Sequence, residues 1–390
     1  MIQLCDRYNC TGCCACANAC PHNAITMIDD YEGFLQPVVN SELCVSCGIC
    51  QKVCPVISPY DFKDHIMQSY AAYAKDSGIR QRGSSGGLFT IFANNIFKQS
   101  GAVVGAAFDD SHVVRHMVVD KESELSKLQG SKYVQSIIGF VLKDIKRRLV
   151  RGQKILFVGT PCQVAGLLNY LQRRYENLYT IDLVCHGVPS PKLFAHYIEF
   201  LKHKYPNFYS FSFRDLKRQN CSSSSSFKNP KSGEISTKVL YGEDMAYYSL
   251  FIGNYVNREC CYKCCYAQHE HRIGDITLAD FWGLGKVVPY NRDKSMGVSF
   301  VSINTPKGRE LFDSVKSEIE YEERPVEETI VGGNTQLEHP AVRPTIRDGV
   351  YKQVYTTDWT DLVKSLNLPL KKKTTLIGRI RKKVSKIFDL

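Results

Sequence analysis

Residues 10–21 read Cys10-Thr-Gly-Cys13-Cys14-Ala-Cys16-Ala-Asn-Ala-Cys20-Pro21, and residues 44–55 read Cys44-Val-Ser-Cys47-Gly-Ile-Cys50-Gln-Lys-Val-Cys54-Pro55. Both follow C-x2-C-x2-C-x3-C-P, the run in which a tight loop presents three thiolates to three corners of one iron–sulfur cubane. The fourth cysteine has been carried past that cubane and serves the other one. This assigns Cys10, Cys13, Cys16 and Cys54 to a first 4Fe-4S cluster, and Cys44, Cys47, Cys50 and Cys20 to a second. Gly12 and Gly48 let the backbone turn close to the inorganic core, and Ala15, Ala17 and Ala19 leave room for it. Paired zinc knuckles share the C-x2-C spacing but not the double pattern with both prolines. Cys5 and Cys14 fall outside the pattern and read as spectators.

The remaining cysteines point the same way. The chain of 390 residues has no apolar run of roughly 18 residues that could span a bilayer and no secretory pattern at its start, so the expectation is a cytoplasmic protein. Thiols there stay reduced, and 17 cysteines point to metal rather than to disulfides. Ten lie in the first 54 residues, four lie between Cys260 and Cys265, and Cys162, Cys185 and Cys221 stand alone. The formal charge of +11 is concentrated in residues 371–390, where eight Lys or Arg face one Asp, leaving +4 for the rest. Thiolates on clusters would lower that further. No basic stripe with interleaved aromatics marks a nucleic-acid surface, so nucleic acid is not an expected partner.

From about Ile66 the texture changes. Gly101–Phe108, Ile155–Gly159 and Tyr179–Cys185 read as buried strands, with helices near Gly87–Gln99, Ile137–Val150, Gln163–Tyr175 and Pro191–His203. The alternation predicts an α/β (α+β) main domain behind a small bacterial-ferredoxin-like domain with two 4Fe-4S clusters. The expected division is 1–58, 66–350 and a basic tail over 351–390. Two loops at strand ends carry Cys162 and Cys185, where ligands of such sheets sit. With the C-x2-C pair Cys261 and Cys264 they make four thiolates, enough for a third cluster. Taken singly, Cys162 at a helix start also reads as an activated nucleophile, and Cys185 as a small buried apolar residue.

At this point several motifs converge. Arg82-Gly-Ser84-Ser85-Gly86-Gly87, Gly130-Ser131-Lys132-Tyr133-Val134-Gln135-Ser136, GTPCQ at 159–163, DLVCHGVPSP at 182–191, CYKCCYA at 261–267 and Asp275-Ile-Thr-Leu-Ala-Asp280-Phe-Trp282-Gly283 are similar to the beta subunit of coenzyme F420-reducing hydrogenases and dehydrogenases. The resemblance runs in order over nearly all of residues 1–300. It implies a flavin, FAD in the better-known members, beside an additional 4Fe-4S cluster. Residue by residue it implies Cys162, Cys185, Cys261 and Cys264 as ligands, with Cys260 and Cys265 open as substitutes.

The resemblance also implies a flavin side formed by Lys132, Tyr133 and Gln135, with Gly297-Val298-Ser299 as its late loop. Ser84, Ser85, Gly86 and Gly87 have an independent rationale, because small residues at a helix start expose N–H groups to phosphate. The other reading is a serine N-cap on an ordinary helix. Arg82 and Lys132 are the cations placed to neutralise phosphate. His186, beside Cys185, is the candidate catalytic residue, a proton or hydrogen-bond donor to the flavin, and equally reads as structural. Asp275 and Asp280 are expected to anchor the Arg272 region or to border the flavin.

The function expected is an iron–sulfur flavoprotein oxidoreductase acting on an unidentified small-molecule substrate and exchanging electrons with a redox partner protein or soluble carrier. Its rivals are a relay subunit of a larger dehydrogenase complex and a scaffold whose clusters are structural. No G-x-G-x-x-G supports nicotinamide binding, and no C-x3-C-x2-C supports radical chemistry. Ser222–Ser226 reads as a flexible loop. In the tail, Leu376, Ile377, Ile380, Val384, Ile387 and Phe388 share one helical face opposite Arg379, Arg381, Lys382, Lys383 and Lys386. That pattern suits an anionic lipid surface or an acidic partner, and equally a terminal helix with a solvated basic face. On the lipid reading the protein is peripheral to the inner face of the membrane. Deleting residues 371–390 should then abolish co-sedimentation with anionic vesicles and leave iron content unchanged; persistent sedimentation would eliminate the lipid reading.

Overall fold

The computed structural model describes residues 2–60, 67–214, 223–368 and 370. Its strands are β1 Ile25–Asp29, β2 Leu35–Val39, β3 Gln68–Ala74, β4 Ala102–Phe108, β5 Val114–Val119, β6 Ile155–Gly159, β7 Leu178–Leu183, β8 Phe208–Ser212, β9 Ser224–Lys228, β10 Ile235–Val239, β11 Ile276–Asp280, β12 Ser299–Ile303 and β13 Ile319–Glu323. The body is built on an eight-stranded sheet of order β13-β3-β12-β11-β7-β6-β4-β5. Its centre, β11-β7-β6-β4, is parallel, and both flanks are antiparallel. The fold is therefore mixed α/β, with a short antiparallel hairpin of β1 and β2 in the N-terminal module.

The pleat assigns alternate residues to opposite faces. Val103 and Leu156 face a core shared with the helix Leu88–Phe97 and with Leu311 and Phe312 of the helix Pro306–Asp313. Ala102, Val104, Ile155 and Phe157 face the other way, against the helices Val141–Val150 and Pro161–Leu171. Runs of Val, Ile and Phe covered on both sides are what central parallel strands need. The iron–sulfur module is seated on this second face, since Cys13, Cys14, Ala15 and Val53 share its core.

Between β7 and β11 the chain leaves the sheet to form the helix Pro191–Lys204 and the small sheet β10-β9-β8. The serine run departs here from its reading as a loop: Ser224, Ser225 and Ser226 lie in β9, paired with both neighbours, and Ser225 is buried. Composition suggested a flexible loop, but backbone pairing does not require apolar side chains when neighbouring strands supply the register. Ser222 and the tail 371–390 lie outside the described residues.

The last described helices, Arg347–Gln353 and Trp359–Ser365, pack against the Pro191–Lys204 layer through Val350, Tyr351 and Trp359. Arg347 also ties this region to the module. Its guanidinium forks onto both oxygens of Glu32, at 2.9 and 2.7 Å, and Tyr355 donates to the Glu32 carbonyl at 2.8 Å. Arg347 and Glu32 are both buried. Substituting Arg347→Met takes both forked hydrogen bonds from the buried Glu32 carboxylate and leaves it only Arg7, at 3.2 Å, so chemical denaturation should register a loss of about 3–5 kcal/mol. An unchanged midpoint would mean the pair does not hold the module.

Candidate functional site

The cysteines of the module surround two separate hollows. Cys10, Cys13, Cys16 and Cys54 line one, with Cys5 and Cys14 also on its wall. Cys20, Cys44, Cys47 and Cys50 line the other. Each hollow thus takes three thiols from one loop and the fourth from the other loop. The turn geometry follows from glycine: Gly12 and Gly48 have φ of 68° and 76°, a region that a side chain strains. Cys5 and Cys14 are nearer than their place outside the motif suggested, and burial pushes Cys5 up to about 12 and Cys14 up to about 11.

A third group of thiols forms at the carboxyl ends of β6 and β7. Thr160 opens the helix Pro161–Leu171, its N–H received by the Gln163 side chain at 3.1 Å, and its hydroxyl lies 3.2 Å from the Cys162 sulfur. Cys185 follows the next strand, and the turn Glu259–Lys263 brings up Cys261, with Cys264 just beyond it. Cys162 feels the charges of Cys185, Cys264 and Cys261. Burial first, and then this mutual repulsion, raises Cys185 and Cys264 to about 12 and Cys162 further. Such thiols stay protonated until a metal supplies the charge that stabilises thiolates. Among the described residues no three His, Cys, Asp or Glu are grouped to share a single ion; a cubane instead asks for one thiolate on each iron.

This group adjoins the first hollow. A Cβ added at Gly166 would stand 2.7 Å from the Cβ of Cys13 and 2.9 Å from its sulfur. Gly166 lies one turn beyond Cys162 on the same helix face, so one helix carries Cys162 and rests against Cys13. Tyr266 lies among Cys265, Cys162, Cys13 and Cys264, whose charges, after burial, hold its phenol well above the usual range.

The glycine-serine turn lies at the same end of the sheet. Ser85 donates to the Val298 carbonyl at 2.9 Å, the Gly86 N–H meets the Ser299 hydroxyl at 3.0 Å, and Ser84 accepts from the Ser131 N–H at 2.9 Å. Three segments far apart in sequence therefore meet: 84–87, 130–131 and 297–299. The helix cap is Gly87, with φ of 83°, and not a serine. The Arg82 guanidinium has no hydrogen bond or ion pair among the described residues.

Other residues take different places from those expected. Lys132 donates to the carbonyls of Lys127, Leu128 and Gln129 at 3.3, 3.1 and 2.7 Å, so its three hydrogens are already used. It closes the end of the 3-10 helix Glu122–Lys127, and burial lowers it to about 7. Gln135 donates to the Thr11 carbonyl at 2.8 Å, which places it at the seam with the module. Arg272 is anchored by Asp182 at 2.9 Å and not by the later aspartates. Asp275 receives Thr180 and Thr305, while Asp280 pairs with Arg214. Tyr133 and His186 both feel Asp280; burial lowers His186 while the carboxylate opposes that shift. Arg214, Gly166, Tyr266 and Arg258 carried no sequence signal apart from the nearness of Arg258 to a cysteine run.

Known protein families match the chain along most of its length. The family model for the C terminus of the coenzyme F420 hydrogenase/dehydrogenase beta subunit matches residues 152–329, and its N-terminal counterpart matches 69–143. A 4Fe-4S dicluster domain model matches residues 9–57. The chain is 22% identical over 332 residues to one subunit of the F(420)H(2) dehydrogenase of Methanosarcina mazei, covering 81% of this chain and 85% of that one. It is 27% identical over 192 residues to the coenzyme F420-dependent sulfite reductase of Methanocaldococcus jannaschii, 48% of this chain but 29% of the relative. A chain of the F420-reducing NiFe hydrogenase complex from Methanosarcina barkeri is 16% identical, with 78% of this chain and 93% of that chain covered and a TM-score of 0.44.

Gly166→Ala tests the contact between the helix and Cys13. The added methyl should cost about 1–3 kcal/mol in thermal or chemical unfolding. Gly349→Ala, in open space within the helix Arg347–Gln353, should be neutral or slightly stabilising. Equal effects at the two positions would mean that the helix does not press on Cys13.

Proposed function

Because the chain belongs to the family of coenzyme F420 hydrogenase/dehydrogenase beta subunits and carries a 4Fe-4S dicluster domain ahead of that region, we propose that it is an iron–sulfur flavoprotein oxidoreductase wired through three 4Fe-4S sites. Cys10, Cys13, Cys16 and Cys54 hold the first cluster, and Cys20, Cys44, Cys47 and Cys50 the second. Cys162, Cys185, Cys261 and Cys264 hold the third. When bound, the clusters supply single-electron relay and the flavin supplies conversion to the two-electron steps of organic substrates.

The observation that carries this reading is the close packing of Cys13 on the helix Pro161–Leu171, whose first turn carries Cys162. It makes the Cys10 site the inner neighbour of the body. The second site is the outer one: Cys47 is exposed, and Val45 beside it is 60% exposed. A redox protein or carrier would meet the chain there. In the third set, Cys265 is exposed and the charges that Cys162 feels come from Cys185, Cys264 and Cys261, which favours Cys261 and Cys264 over their duplicates.

The flavin phosphates are assigned to the turn Ser84, Ser85, Gly86 and Gly87, where the helix start favours an anion and Arg82 is the one expected cation left unpaired among the described residues. Lys132, already saturated, positions the loop that carries Tyr133. His186 and Tyr133 border the reacting end beside Asp280. Burial favours the neutral imidazole of His186, which leaves one ring nitrogen to donate and the other to accept a hydrogen bond. The substrate is a small molecule or soluble carrier that exchanges two electrons. Relay within a larger complex is the second reading, favoured by the Methanosarcina mazei relative being itself one subunit of a dehydrogenase.

Anaerobic purification followed by iron, sulfide and flavin analysis tests this directly. About twelve irons and one flavin per chain are expected, falling to about eight irons in Cys162→Ala with the module's signals intact. Eight irons and no flavin in the unaltered protein would overturn the proposal.

A further inference from the structure

The guanidinium of Arg258 sits on the seam between the module and the body. The residue is 1% exposed, so its charge is withdrawn from water. Its Nε donates to the Cys10 carbonyl at 2.6 Å, one terminal nitrogen to the Gln135 side-chain oxygen at 3.0 Å, and the other to the Leu35 carbonyl at 2.9 Å. All three acceptors are neutral. Phe34 lies beneath at 5.3 Å, a minor attraction. Among the described residues Arg258 makes no ion pair with a carboxylate, unlike Arg80, Arg272, Arg324 and Arg347, the other buried arginines of the body.

A buried cation without a counter-charge is costly. The ionisable groups that Arg258 feels most are Cys10, then Cys260 and Cys261, with Asp30 last. Geometry joins Arg258 to both groups: Cys10, whose carbonyl it holds, lines the first hollow, and Arg258 caps the turn Glu259–Lys263, its own carbonyl accepting from the Cys261 N–H at 2.9 Å. The contact is close enough to restrict Gly12, where a Cβ would stand 2.8 Å from an Arg258 terminal nitrogen.

We propose that Arg258 is the shared counter-cation of two cluster sites, the Cys10 site and the Cys261 site, and sets their potentials together relative to the outer site. The inference rests on the third-cluster reading given above. A fixed positive charge in a poorly polarisable interior favours the more negative, reduced state of whatever anionic centre it faces. Arg258 is thus a positioning residue for electrons: it makes the inner sites easier to reduce and leaves the Cys20, Cys44, Cys47 and Cys50 site untouched.

The test is an anaerobic potentiometric titration followed by electron paramagnetic resonance on the full chain and on Arg258→Met and Arg258→Lys. In Arg258→Met the two inner signals should fall in reduction equilibrium by about tenfold, ~59 mV for a one-electron couple, with the outer signal unmoved. Arg258→Lys should restore most of the shift. If Arg258→Met does not retain its clusters, Gln135→Glu keeps Arg258 and places a carboxylate on it, and should lower the same two signals. Inner signals that stay within about twofold, or three signals that move together, would overturn the assignment. Iron counted on the same samples separates the two ideas. Twelve irons with unmoved potentials sinks Arg258 alone, whereas eight irons with one shifted signal sinks the third cluster and the sharing with it.

Discussion

The bidentate contact between Arg347 and Glu32 is the constraint from which the rest of the arrangement follows. It joins the turn between β1 and β2 to the helix Arg347–Gln353, and Tyr355 closes over the same backbone. Pairs of this kind add little stability over apolar packing, because desolvation offsets the attraction. Their value is geometric, since two parallel hydrogen bonds admit one orientation. With the module held from that side, Cys13 is pressed onto Gly166, and Arg258 reaches the Cys10 carbonyl.

The site is also a problem of charge. Thiols gathered under burial are pushed above their ordinary range, as at Cys185 and Cys264. Iron bound at such thiols would reverse this by stabilising thiolates, and would leave anionic centres in a medium that screens poorly. Backbone N–H groups supply part of the compensation, for example the Gly12 N–H on the Cys10 sulfur at 3.4 Å and the Ala24 N–H on the Cys20 sulfur at 3.3 Å. Arg258, buried at the seam with three neutral acceptors, is the fixed cation placed beside the Cys10 backbone.

How much of this could be read from sequence depends on how far apart the participants lie in it. The cluster loops were legible because each is written within about twelve consecutive residues whose spacing is itself the chemistry. The parallel strands at 102–108 and 155–159 were legible because covering on both faces forces apolar runs. β7 stopped at Leu183, short of Cys185, because the chain there turns to leave the sheet. The convergence of 84–87, 130–131 and 297–299 needed an ordered series of motifs to suggest it, since no local rule joins them. The protein partners of Lys132 and Gln135 were hidden for a related reason. A polar side chain in a motif reads as a ligand contact, although a carbonyl or a buried arginine is an equally good partner. Arg258 and Arg347 were invisible, because an arginine in sequence carries no mark of burial.

The packing of Cys13 on Gly166 bears on exposure to oxidants. Cys10 and Cys13 are each 8% exposed once the module is seated. Cys16 and Cys54 of the same hollow are only partly covered, and in the outer hollow Cys47 lies open to solvent. The two halves of one dicluster module therefore differ in how far an oxidant dissolved in water reaches their sulfurs, and the outer half is the more vulnerable.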